Sequence, residues 1–158
     1  MNIFYLDEDP RTCAQYHVDS HVVKMVLESA QMLSTAHWIL DGPPTGPCYK
    51  PTHVNHPCAI WVRQSRSNYE WLFELMIELD LERQHRFTPV RGKTVRELGE
   101  FLSKPPANLS DRGFTSIAQA MPDELRCVDP IHAYRSYYMR DKRHLAKWTN
   151  RGAPRWWR

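Results

Sequence analysis

In the run His17-Val18-Asp19-Ser20-His21-Val22-Val23-Lys24-Met25-Val26-Leu27-Glu28-Ser29-Ala30-Gln31-Met32-Leu33-Ser34-Thr35-Ala36-His37, apolar and small residues fall on most of the turns of a 3.6-residue helix. Asp19 or Ser20 reads as its cap, and Gly42 as its stop after Leu40. At roughly 100° per residue, His21, Lys24, Glu28, Gln31 and Thr35 share an arc of roughly 80°. A solvated face would be wider and richer in Lys, Glu and Arg. The pattern therefore predicts a mostly buried helix with one narrow polar wedge. A His, Lys and Glu set on such a wedge suits a pocket where protons are placed and accepted. The plain alternative is a thin exposed strip with ordinary pairing of Lys24 and Glu28 at i,i+4.

Working outward, the rest of the chain also reads as helices. Asp9-Pro10 is a cap followed by proline at the first helical position, predicting a short helix to about His17. Residues 1–6 read as extended chain or as the lead-in to that helix. From Asp41 to Pro57 the sequence is rich in Pro and Gly, a long loop of the kind that often carries function. A short helix follows over 57–64, capped by Asn55. Ser67-Asn68-Tyr69-Glu70 fits a capping box and opens a helix to about His85, and Thr94-Val95-Arg96-Glu97 opens another to about Leu102. A short helix is predicted near Thr115–Met121. The last starts near Pro130 and runs to about Arg143, before an irregular tail over 149–158. No repeat and no linker divides the chain. The prediction is an all-α, single-domain irregular helical array over residues 1–158, with a long Pro/Gly-rich loop.

No apolar run approaches the ~20 residues that span a bilayer, and the acidic start lacks a basic leader, so a membrane partner and secretion are not expected. Cys13, Cys48, Cys58 and Cys127 are scattered without a CxxC pair and read as reduced thiols of a cytoplasmic protein. No cofactor motif is present. His17, Asp19, His21, His53 and His56 raise the alternative of a metal-dependent hydrolase, although no metal motif is completed.

Charge is unevenly spread. Residues 131–158 hold eight Lys and Arg against Asp141 alone, so this end carries +7 and residues 1–130 carry −4 of the net +3. Aromatic and cationic residues interleave there: Tyr134, Arg135, Tyr137, Tyr138, Arg140, Lys142, Arg143, Lys147 and Trp148. Cations neutralise phosphates and rings stack on bases, so a nucleic acid is the expected partner. Some of these aromatics also read as core of a final helix.

Three segments together resemble the pyrimidine-dimer DNA glycosylases of the phage endonuclease V type. His21 to Glu28 is similar to that family's helix with a histidine two turns before its catalytic glutamate. Asn55-His56-Pro57, followed by Trp61, Arg63 and the Tyr69–Phe87 stretch, resembles its Asn-His-Pro segment and long helix. Tyr134-Arg135-Ser136-Tyr137-Tyr138 is similar to its Tyr-rich, DNA-contacting end. The resemblance covers about half the chain and lies in the order of the motifs. It implies a small helical DNA glycosylase, with or without apurinic-site lyase activity, that extrudes a damaged or modified nucleotide. The nucleophile would be the N-terminal α-amine, whose intrinsic pKa of about 7.7–8 leaves a neutral fraction near pH 7. The implied catalytic residues are Met1, Glu28, His21 and Lys24, and the implied DNA contacts add His56 and Arg63 to the C-terminal set. The sequence departs from the family at position 2, where Asn2 replaces a small residue and implies that Met1 is retained. Met1 then supplies the amine, or Lys24 does, or the lyase step is absent. A non-catalytic nucleic-acid-binding protein is the other reading of the same features.

Overall fold

The computed structural model describes residues 1–158 as six α-helices with no strand: α1 (Pro10–Tyr16), α2 (Asp19–Leu40), α3 (Pro57–Val62), α4 (Arg66–Arg86), α5 (Lys93–Leu102) and α6 (Pro130–Asp141). Single 3₁₀ turns lie at Asp123–Leu125 and Arg143–Leu145. The two long helices, α2 and α4, pack along each other, with α1, α3 and α5 against them. One hydrophobic core joins them, and Trp61, Tyr69, Leu72, Met76 and Leu79 lie at its centre. No helix is long and apolar enough to cross a membrane.

The helix starts follow capping chemistry, with shifts from the sequence reading. Asp9 caps α1 by accepting from the Thr12 N–H, as expected. At α3 the cap is His56 rather than Asn55, and at α4 it is Ser65 rather than Ser67. Gly92 precedes α5, so Thr94 sits inside its first turn. Asp19 does not cap α2. Its carboxylate instead takes the buried Arg86 guanidinium at 3.0 Å and the Thr149 hydroxyl at 2.7 Å.

Residues 115–121 are not helical. Their backbone groups are claimed from outside: Trp61 Nε1 donates to the Thr115 carbonyl, the Thr115 N–H donates to Asn68, and the Tyr134 hydroxyl donates to the Ala118 carbonyl. With those groups already paired, an i→i−4 ladder gains nothing.

The long loop is fastened to the outer face of α2. Trp38 Nε1 donates to the Tyr49 carbonyl at 2.9 Å, and the Tyr49 N–H donates to Ser34 Oγ at 3.1 Å. Thr35 Oγ1 accepts the Thr52 N–H at 3.1 Å. The loop thus covers the C-terminal half of α2 and leaves the N-terminal half bare. A buried ionic hub holds the opposite end together. Arg86 binds Glu82 at 2.7 Å and the carbonyls of His17 and Gln15 at 2.9 Å each, and Arg151 binds the other side of Glu82.

Candidate functional site at the start of the chain

The residues before α1 form a buried strand-like segment in which Ile3, Phe4, Tyr5 and Leu6 join the core. Burying them carries Met1 and Asn2 onto the middle of α2. The Met1 α-amine nitrogen lies 3.8 Å from Glu28 Oε2, and the Asn2 N–H donates to the same oxygen at 3.1 Å. Lys24 Nζ lies 3.2 Å from Glu28 Oε1. One largely buried carboxylate therefore holds two amines, one on each oxygen.

Asn2 fixes this arrangement. Its side-chain amide donates to the Ala120 carbonyl at 2.9 Å. Its Oδ1 accepts from the Ile3 N–H at 2.8 Å and, more weakly, from Cys58 Sγ at 3.6 Å, and lies 3.0 Å from the Tyr134 hydroxyl, whose one hydrogen it shares with the Ala118 carbonyl. Three distant parts of the chain thus converge on residue 2. Sequence reasoning took Asn2 only as a bulky residue and missed it as an anchor. A single polar residue beside the apolar run Ile3-Phe4-Tyr5-Leu6 was the available signal.

Histidines complete the surroundings. His21 Nδ1 shares a 2.6 Å hydrogen bond with the Tyr138 hydroxyl, and its ring stacks on Phe4 at 4.4 Å. Burial, reinforced by His17, Lys142 and Lys24, pushes its pKa down to about 3, so the imidazole is neutral at physiological pH. His56 caps α3 through its ring nitrogen, 3.2 Å from the Cys58 N–H. Burial, then the Met1 ammonium and His53, hold its pKa below the usual value, while Glu28 pulls the other way.

The structure corrects the expected wedge. His21, Glu28 and Thr35 are buried, while Val23 and Leu27 are exposed. The bare face of α2 carries Val23, Lys24, Leu27 and Gln31, rotated by roughly 70° from the polar stripe. Thr35 serves the loop and has no part in the site. Glu28 does not floor any of the five principal surface clefts. Lys24, on the other Glu28 oxygen, has a side chain that is 65% exposed.

The basic end is also corrected. Tyr134 and Tyr138 are fully buried and cannot stack on bases. Arg135 donates to the Leu6 carbonyl, pairs with Asp7 at 3.2 Å and lies over the rings of Tyr16 and Trp156. Arg140 is held by Asp141 and Glu124, and Arg63 by the carbonyls of Val54 and Ala59. Trp148, half-buried, donates to the Tyr16 carbonyl. Tyr137 is half-buried with Lys142 Nζ over its ring at 4.9 Å. Arg143 binds the Arg158 carbonyl and lies over Trp157. Lys142, Arg143 and Lys147 have no acidic partner; Lys142 and Arg143 rest on aromatic rings, and Lys147 is the member whose side chain has no partner.

The side chains considered for a metal do not converge. His17 is bound to the Cys13 carbonyl, Asp19 to Arg86 and Thr149, His21 to Tyr138, and His53 to Thr52. No group of three or more His, Cys, Asp or Glu side chains is placed to hold an ion.

Comparison with protein-family models, with known proteins and with solved structures finds no match.

Proposed function

We propose that this chain acts on duplex DNA as a glycosylase, with the Met1 α-amine as nucleophile and Glu28 as its carboxylate partner. The observation that carries the reading is the Met1 nitrogen at 3.8 Å from a buried Glu28 oxygen whose partner oxygen holds Lys24. In this reaction the amine lone pair forms a bond to the sugar C1′ of an extruded nucleotide. The C1′–N bond breaks, and the base leaves with the electron pair and takes up a proton. The amine nitrogen then loses one of its two protons, the C1′–O4′ bond opens, and the sugar is left as a protonated imine. Glu28 accepts the amine proton and can return it to O4′. Neutral His21, held by Tyr138 and Phe4, adds a polar group without adding charge. On an abasic site the amine condenses with the aldehyde, releasing water. Abstraction of a C2′ proton would then expel the 3′ phosphate and nick the strand. The four cysteines are free thiols, which suits the reducing cytoplasm.

The test is borohydride trapping on an abasic duplex. A covalent adduct whose peptide map places the DNA on Met1 supports the reading, and an adduct on Lys24 moves the nucleophile to that residue. A second reading, a non-catalytic DNA-binding protein, is favoured by two observations: both Glu28 oxygens are already paired, and the carboxylate floors no principal cleft. Duplex binding with no adduct, and no base release from damaged or modified duplexes, selects it.

A further inference from the structure

A groove of about 240 Å³ runs between the bare half of α2 and the connection from α4 to α5. Its apolar wall is Val23 and Leu27, which are 51% and 42% exposed and one turn apart on α2. Leu27 immediately precedes Glu28 on α2, so the groove lies one helical step, roughly 100° around the helix, from the site described above. The facing side is built from Arg83, Gly92 and Lys93 around the Asp80 carboxylate. Asp80 is 1% exposed and already taken: Arg83 Nε donates to it at 3.0 Å, as do Gln84 at 3.0 Å and the Gly92 N–H at 3.0 Å. A Cβ at position 92 would lie 2.6 Å from Asp80 Oδ1, so only glycine lets the chain come this close. Arg83 also donates to the Val90 carbonyl, fixing the loop that carries exposed Arg91.

The acid of this region is buried and neutralised, with Arg91 Nε also 4.0 Å from Asp80, whereas the side chains of Arg91 and Lys24 are 54% and 65% exposed and Lys93 is exposed. The groove therefore offers solvent a narrow apolar wall rimmed by cations. Two side chains one turn apart are too short a stripe for a docked helix, which needs anchors over two turns. They match instead the alternation of apolar sugar face and charged phosphate along a nucleic-acid strand.

We propose that this groove seats the sugar–phosphate strand of duplex DNA beside the reacting nucleotide, with the sugar on Val23 and Leu27 and the phosphates on Lys24, Arg91 and Lys93. The proposal rests on the reading of the chain as a duplex-DNA protein. It places strand contacts on the α4–α5 connection, outside the basic C-terminal end.

The test measures binding of the full chain to a duplex containing a tetrahydrofuran abasic analogue, by fluorescence anisotropy over a range of salt. Each lost phosphate contact lowers the slope of log K against log salt by about 0.9, so Arg91→Ala/Lys93→Ala reduces it by about 1.8. Leu27→Asp, which sets a carboxylate against the strand, weakens binding by roughly tenfold or more at low salt. All three side chains are exposed, and circular dichroism checks that each variant keeps its helices. An unchanged slope together with unchanged Leu27→Asp affinity, while the unaltered chain binds, overturns the groove and leaves the proposed function standing. Failure of the unaltered chain to bind any duplex overturns both.

Discussion

The backbone N–H of Asn2 donates to Glu28 Oε2 at 3.1 Å, the same oxygen that lies 3.8 Å from the Met1 amine. This contact exists because the Asn2 side chain is itself pinned to Ala120, Ile3 and Tyr134. Asn2→Asp tests that pin with an isosteric change that leaves the bulk next to Met1 unaltered. The new carboxylate faces the Ala120 carbonyl without a donor and stands close to Glu28. Stability is expected to fall by about 1–3 kcal/mol in urea unfolding, and the yield of borohydride adduct to fall more steeply than the folded fraction. Equal losses of both would reduce Asn2 to a folding role.

Glu28→Gln keeps the side-chain shape and one acceptor oxygen but removes the charge that faces Met1 and Lys24. Under the proposed chemistry, base release or adduct formation drops on the order of 10²–10⁴-fold. Affinity for a non-cleavable duplex stays the same or rises, since a negative charge near the phosphates is lost. Anisotropy and single-turnover cleavage on the same preparation separate these effects. Full activity in Glu28→Gln would remove the carboxylate from the mechanism.

The helical class and the main elements could be read from the sequence because they rest on local signals. The periodicity of α2, the Asp9-Pro10 start and the Gly42 stop all act within a few residues. Long-range partners were hidden. Nothing local marks 115–121 as non-helical, because its partners Trp61, Asn68 and Tyr134 lie far away in the chain. Only the Lys24–Glu28 pair of the site follows from helical spacing, while His21 turns to Tyr138 and Phe4. The approach of Met1 and the role of Asn2 depend on the burial of Ile3–Leu6, which no spacing rule reports. The C-terminal cations misled for the same reason: composition counts Arg135 and Arg140 as free, whereas Asp7, Glu124 and Asp141 already hold them.

That difference predicts a split within the basic end. Arg135→Ala removes contacts to Leu6, Asp7 and two aromatic rings and is expected to lower stability by about 1–3 kcal/mol, with little change in the salt dependence of DNA binding. Lys147→Ala removes an exposed, unpaired cation and does the reverse. It leaves the unfolding midpoint in place and lowers the salt slope by about 0.9 if Lys147 meets a phosphate. A stable Arg135→Ala variant with a reduced slope would return Arg135 to the DNA-binding set.

His17 gives the clearest pH dependence. It is fully buried, its Nδ1 lies 2.7 Å from the Cys13 carbonyl, and its Nε2 has no partner. The carbonyl can only accept, so Nδ1 carries the hydrogen and Nε2 the bare lone pair. Protonating Nε2 would bury an unpaired charge near Arg86, and burial accordingly pushes the His17 pKa from 6.5 down to about 4. The unfolded chain binds this proton below about pH 6.5 and the native chain does not, so falling pH favours unfolding. His21, pushed down to about 3, acts in the same direction. Stability is therefore complete above about pH 6.5 and declines steadily toward pH 4, with His17 alone contributing on the order of 3 kcal/mol. Urea midpoints measured from pH 7.5 to pH 4 check this. His17→Gln, which cannot take up the proton, should flatten the decline, and an equally steep decline in that variant would assign the acid sensitivity to other groups.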